Sequence, residues 1–196
     1  MLSSRLNSFV VANPKRCIGC KACEVACAVT HCDRQALTVG AMDIPVIPRL
    51  YLVKTAEVTM PVQCHHCEDA PCANVCPIGA ITQTNNSITI NEEICVGCKT
   101  CSLACPFGAI DLVPQYKQGQ EVIQNALKIK TDEGLVDKAH LIASKCDLCS
   151  TSEQGPACVE ACPQQALEVF SPIKEKKSRN EEAALMLLDS VKKFLG

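Results

Sequence analysis

The sequence predicts an α+β fold of two similar units, one inserted within the other, with a helix appended at the C-terminus. Three observations carry that expectation. Sixteen of the 17 cysteines among 196 residues fall into four runs of four. A short apolar phrase follows three of these runs, IGAIT, FGAID and QQALEV, so the chain repeats internally. With no Trp and only 3% aromatic residues, the side chains cannot build an ordinary core, and metal ligation must replace part of it.

The runs are Cys17, Cys20, Cys23 and Cys27; Cys64, Cys67, Cys72 and Cys76; Cys95, Cys98, Cys101 and Cys105; and Cys146, Cys149, Cys158 and Cys162. The third, CVGCKTCSLACP, has the spacing of the bacterial ferredoxin run, which holds [4Fe–4S] clusters. Runs two, three and four close on Pro77, Pro106 and Pro163, whereas run one has Ala28 in that place. The first three thiolates of a run can wrap one cluster, and the fourth reaches a neighbouring cluster, so runs must work in pairs. Runs two and three lie at the short interval of a two-cluster ferredoxin, which leaves run one to pair with run four.

The crossover rule then assigns Cys17, Cys20, Cys23 and Cys162 to cluster A, and Cys146, Cys149, Cys158 and Cys27 to cluster B. Cluster C takes Cys64, Cys67, Cys72 and Cys105, and cluster D takes Cys95, Cys98, Cys101 and Cys76. Four [4Fe–4S] clusters are the expected cofactors, with these sixteen cysteines as iron ligands and a chain of clusters as the consequence. The fold is therefore expected as two bacterial-ferredoxin-like two-cluster units. Residues 9–59 and 139–172 form a discontinuous unit with clusters A and B, and residues 60–113 an inserted unit with clusters C and D. Residues 114–138 are an insertion loop, and residues 173–196 an amphipathic helix. The apoprotein is expected to be largely unfolded.

Two other uses of cysteine fit poorly. A disulfide scaffold disagrees with the odd count, the chain length and a start, MLSSRLNSFVV, without a secretory pattern. Zinc sites use paired Cys-x2-Cys knuckles rather than three cysteines in close succession. Cys32 falls outside every run and reads as a small buried hydrophobe.

In chain order, residues 1–8 are a polar leader. Residues 9–12 are a strand stopped by Asn13-Pro14. Gly19 lets the backbone approach a cluster sulfide, and residues 21–31 form a helix carrying Cys23 and Cys27 on one face. Residues 33–48 are a loop broken by Pro45 and Pro48, and residues 49–55 and 58–60 are short strands. His65 and His66 are expected to be exposed or to hydrogen-bond around a site already supplied with four thiolates. Residues 80–84 and 88–90 flank Asn85-Asn86, a hairpin signal. Strands are expected at 110–113, 139–144 and 167–170, and Gly155-Pro156 marks a loop over the fourth run. Lys21 and Lys99 each follow the second cysteine of a run, either raising a cluster's potential or snorkelling into solvent.

In the tail, Ser178 and Glu181 fit a capping box, Lys192 and Lys193 suit a last turn, and Gly196 is a terminator. Ala184, Leu187, Leu188, Val191, Phe194 and Leu195 share one helical face, which is expected to pack in cis or to dock in trans through residues 178–196. Membrane-surface binding is less attractive beside Glu181, Glu182 and Asp189.

The formal charge of −2 becomes about −10 with four clusters bound, which argues against a nucleic-acid partner. No apolar stretch is long enough to span a membrane. Reduced thiols suit an anaerobic or reducing cytoplasm, the expected location. With no nucleotide loop and no nucleophile–base set, the chain is expected to be non-catalytic.

FVVANPKRCIGCKACEVAC, CHHCEDAPCANVCPIGAIT, CVGCKTCSLACPFGAI and CDLCSTSEQGPACVEACPQQAL together resemble the four-cluster electron-transfer subunits of formate dehydrogenase and hydrogenase complexes. Formate hydrogenlyase and hydrogen-dependent CO2 reductase are the types concerned. The resemblance covers residues 9–170 and implies the same nested fold and pairing of runs. It also implies partners: a formate dehydrogenase catalytic subunit, an iron hydrogenase subunit and further electron-transfer subunits. The terminal helix lies outside the shared pattern, and its expected role is subunit or filament assembly. Export signals and membrane anchors of periplasmic relatives are not expected here. The alternatives are a similar subunit serving another oxidoreductase, such as carbon monoxide dehydrogenase, and a structural or assembly iron–sulfur protein.

Overall fold

The computed structural model describes residues 6–32, 39–150, 152 and 154–195. Most of the leader, the first part of the loop expected at 33–48, and the terminator Gly196 lie outside the described residues. The chain runs through β1 (Phe9–Ala12), α1 (Ala22–Thr30), β2 (Tyr51–Lys54), β3 (Thr59–Val62) and α2 (Pro71–Asn74). It continues through β4 (Ile81–Thr84), β5 (Ser87–Ile90), α3 (Thr100–Ala104), β6 (Asp111–Pro114), β7 (Tyr116–Lys117) and β8 (Gln120–Glu121). Then follow β9 (Ile123–Thr131), β10 (Gly134–Ala139), β11 (Leu141–Ser144), α4 (Ala157–Glu160), β12 (Leu167–Phe170) and α5 (Pro172–Leu195).

Each cysteine run is a loop that feeds a short helix. Lys21 and Lys99 enter α1 and α3 with φ of 63° and 72°, left-handed turns just after the second cysteine. In runs two and four a proline starts the helix instead, with Pro71 at its first position and Pro156 at its cap. The short helices α2, α3 and α4 stop before the closing Cys-Pro, whereas α1 passes Cys27 and runs on to Thr30 because Ala28 replaces the proline. Helix α1 packs on α4, and α2 packs on α3.

The strands pair antiparallel in two-stranded ribbons. β1 pairs with β12, joining the start of run one to the end of run four. β4 and β5 form the hairpin expected around Asn85 and Asn86, whose φ of 49° and 58° give the left-handed pair that matches strand twist. Two further ribbons lie at the two ends of segment 60–113. β2 pairs with β3, and β6 pairs with β11, so β3 and β6 do not pair with each other.

Two expectations need correction. Residues 114–138, expected as a loop, are mostly β-structure, in the ribbons β7–β8 and β9–β10. The helix expected to cap at Ser178 begins at Pro172, a residue whose fixed φ suits a first helical position, and Ser178 lies inside it.

Three buried patches form the core, and cysteines belong to all of them. One gathers Val10, Cys23, Cys27, Leu50, Cys158 and Leu167. A second gathers Cys72, Ile81, Ile88, Cys101, Ile110 and Ala143. Between them sit Cys64, Ala109 and Cys146.

Candidate metal centres

Three small cavities are each lined by cysteines from two runs. Cys17, Cys20, Cys23 and Cys162 line one with Ile18, Leu52 and Leu167. Cys95, Cys98, Cys101 and Cys76 line another with Ile78 and Val96. Cys64, Cys67, Cys72 and Cys105 line a third with His65, Phe107 and Ile110. Cys27, Cys146, Cys149 and Cys158 make a fourth grouping, all four buried and Cys158 within electrostatic reach of Cys27, Cys146 and Cys149. In each group three residues come from one run and the fourth closes another. All seventeen thiols are free.

The environment suits an anionic sulfur-ligated group. Burial pushes the Cys158 thiol up to about 12 and those of Cys23 and Cys72 to about 11, with neighbouring sulfurs adding to the effect in Cys158 and Cys72. Such thiols ionise only when a cation replaces the proton. Backbone N–H groups wait for the resulting charge. The closing cysteines accept at Sγ from the residue four positions on: Cys76 from Ala80 at 3.3 Å, Cys105 from Ala109 at 3.4 Å and Cys162 from Ala166 at 3.3 Å. Donors also reach Cys64 from His66 at 3.3 Å and Cys95 from Ala143 at 3.4 Å. Converging buried thiols with aimed N–H donors fit an iron–sulfur cluster, which would supply a one-electron redox centre.

Cys27 obtains its donor differently. Because α1 continues, the His31 N–H goes to the Cys27 carbonyl at 3.2 Å, and the Cys27 sulfur accepts from the Arg49 N–H at 3.2 Å. Arg49 is held by its guanidinium, 2.9 Å from Asp147 on one side and 2.9 Å from Glu92 on the other. Asp147 also lies 2.9 Å from His31 Nε2 and accepts from the Cys149 N–H at 3.0 Å. Burial works against charge on His31, but hydrogen bonds to Asp147, Cys149 and Cys27 override it and raise the imidazole to about 12. Burial likewise opposes the Asp147 carboxylate, yet the His31 bond and the charges of His31 and Arg49 hold it well below the carboxylate range. His31, Asp147 and Cys149 also offer three metal-ligating atoms within 4.8 Å of one another. Since Cys149 belongs to the fourth grouping, this set is part of that site.

His66 is buried at φ 47°, with Nδ1 accepting from the Ile88 N–H at 2.9 Å. His65 is exposed and stacks on Phe107 at 4.1 Å and on Phe9 at 5.3 Å. Lys21 and Lys99 point outward, Lys21 toward Glu24 at 3.4 Å. Cys32 is only half-buried. Gly97, placed like Gly19 between ligands, is required by packing: a Cβ there would lie 2.2 Å from the Leu141 carbonyl oxygen. The sequence reading passed over His31, Arg49, Glu92, Lys145 and Asp147. Their one local signal was the pair Lys145 and Asp147 flanking Cys146.

A family profile described as 4Fe-4S binding domain matches residues 88–111, which include the third run. Hydrogenase-4 component A of Escherichia coli (strain K12) is 39% identical over 193 residues, spanning 92% of this chain and 90% of that protein. Electron transport protein HydN of the same strain is 42% identical over 165 residues, 83% of this chain and 87% of that protein. Formate hydrogenlyase subunit 2 of that strain is 42% identical over 176 residues, 84% of this chain and 82% of that protein.

Proposed function

The chain belongs to the 4Fe-4S protein family of hydrogenase-4 component A, HydN and formate hydrogenlyase subunit 2, and we propose that it is an electron-transfer subunit with four [4Fe–4S] clusters. In this reading it relays single electrons between a formate dehydrogenase catalytic subunit and an iron hydrogenase subunit. The observation that carries it is the grouping of the cysteines in fours, three groups each lining one small cavity with ligands from two runs.

The core patches suggest the order of the relay. Cys23, Cys27 and Cys158 share one patch, which couples clusters A and B. Cys64 and Cys146 share the next, which couples B and C. Cys72 and Cys101 share the third, which couples C and D. Exposure supports the ends: Cys20 of A and Cys98 of D are the exposed ligands, whereas every ligand of B is buried. Apolar Ile18 beside A and Val96 beside D stand at equivalent positions and are solvent-exposed, as docking faces for two redox partners require. Helix α5 exposes Leu187, Leu188, Val191 and Phe194 and serves in subunit or filament assembly. No described helix is long and apolar enough to cross a membrane.

Anaerobic affinity purification of the native complex, with iron analysis of the isolated chain, tests the reading. Co-purification of a formate dehydrogenase with a hydrogenase, and four clusters per chain, is the expected result. A different oxidoreductase partner overturns the assignment of partners, and fewer clusters overturn the relay. Deleting residues 178–196 should leave the cluster content unchanged while reducing assembly.

A further inference from the structure

Lys145 is the one lysine in the buried core among the described residues, 3% exposed, and it takes part in none of the ion pairs there. Its Nζ donates to two carbonyls, Ile88 and Cys146, the latter at 2.9 Å. Two carbonyl dipoles do not balance a full buried charge, and lysines are almost never fully buried without a counter-charge. The nearby carboxylate, Asp147, is already engaged by His31 and Arg49.

The position of the ammonium group indicates where the missing negative charge belongs. Ile88 is a wall of the cavity lined by Cys64, Cys67, Cys72 and Cys105. Cys146 is a member of the fully buried cysteine group. The lysine therefore bridges the walls of sites B and C. A [4Fe–4S] group with four thiolates is anionic and becomes more so on reduction, so a fixed cation close by favours the reduced form.

We propose that Lys145 is the internal counter-ion of the two central clusters, B and C, and holds their reduction potentials up so that the middle of the relay accepts electrons. The lysine is a positioning and tuning residue. This inference rests on the four-cluster reading, and the two fail in different measurements.

The test is an EPR-monitored redox titration of the full holoprotein, wild type against Lys145→Met, Lys145→Gln and Lys145→Arg. Lys145→Gln keeps an N–H donor for the carbonyls but removes the charge, whereas Lys145→Arg keeps the charge. In both neutral variants two of the four potentials should fall by at least a tenfold change in the reduction equilibrium, about 59 mV for a one-electron couple, and the other two should stay. Lys145→Arg should retain the wild-type pattern. Loss of clusters in the neutral variants with retention in Lys145→Arg also supports the proposal, since charge is then the requirement. Unchanged potentials in the neutral variants overturn it, as does equal loss of clusters in all three, which would make the role one of packing. Fewer than four clusters in the wild type would instead overturn the parent reading.

Discussion

Gly97 and Gly79 provide a matched pair for measuring how tightly the cluster D loop is clamped. Both have left-handed backbones, with φ of 62° and 64°. A Cβ at Gly79 meets nothing within 4 Å, whereas one at Gly97 would lie 2.2 Å from the Leu141 carbonyl oxygen. Gly79→Ala therefore carries only the backbone cost of a side chain in that conformation, about 1–2 kcal/mol. Gly97→Ala carries the same cost and must also drive β11 away by more than an ångström. Overpacking of that kind costs about 1–3 kcal/mol, and disturbing a β6–β11 hydrogen bond adds about 1 kcal/mol. The entropy that alanine removes from the unfolded chain is common to both variants and cancels. The difference should be about 2–4 kcal/mol. In a chain of this size that corresponds to about 4–16 °C in the temperature at which cluster absorbance is lost, measured anaerobically at one scan rate. Equal shifts in the two variants would refute the reasoning, because the Leu141 carbonyl could not then press on the loop.

The other expectations concern single sites. Cys98→Ser, at an exposed ligand of site D, should weaken or convert one cluster and interrupt electron transfer between the two partners; full transfer in that variant would count against the relay. Arg49→Met removes the half-buried bridge between Asp147 and Glu92 and should cost about 2 kcal/mol, seen as earlier thermal loss of cluster absorbance. Lys117→Ala, which breaks the exposed pair with Glu93, should change stability by less than about 0.5 kcal/mol; a larger loss than in Arg49→Met would invert the argument. Anaerobic chelation of iron should collapse the far-UV circular dichroism, because cysteines belong to all three core patches; a native-like spectrum of the apoprotein would contradict this.

What could be read from the sequence were features encoded within a few residues. The 2-2-3 spacing, the left-handed Asn85-Asn86 turn, and the strands at Phe9–Ala12 and Leu167–Phe170 all follow from adjacent residues. The ribbons in 114–138 were missed because polar residues such as Gln124, Lys128, Lys130 and Lys138 mask the strand pattern, and their strands are exposed. The helix expected over 173–196 matches α5, but the capping box read at Ser178 lies inside it, because Pro172 already supplies a first helical position. The network about Cys27 had little local signature beyond Asp147 beside Cys146. His31, Arg49, Glu92 and Asp147 are brought together from four separate segments, and a missing proline after Cys27 is the only trace of why a donor must come from elsewhere. Lys145 was overlooked for a similar reason: a lysine beside a cysteine run is ordinarily solvated, and only burial distinguishes this one.

The exchange of strands bears on how such a relay can work. If segment 60–113 closed its own sheet, β3 would pair with β6 and β2 with β11, leaving the two segments joined only by chain crossings. An interface of that kind between segments moves by default. Instead β2 binds β3 and β6 binds β11, so both ends of segment 60–113 are hydrogen-bonded to the flanking chain. Further contacts cross the same boundary: Gln63 Nε2 to the Val10 carbonyl at 2.7 Å, Asn7 Nδ2 to the His66 carbonyl at 2.8 Å, and Arg49 to Glu92. Cys64 and Cys146 meet at this boundary, where the proposed route passes from site B to site C. A hinge would let that gap open and close, whereas two ribbons and a buried lysine fix it. In the proposed relay these bonds fall where it would be most sensitive to motion, at the step from site B to site C.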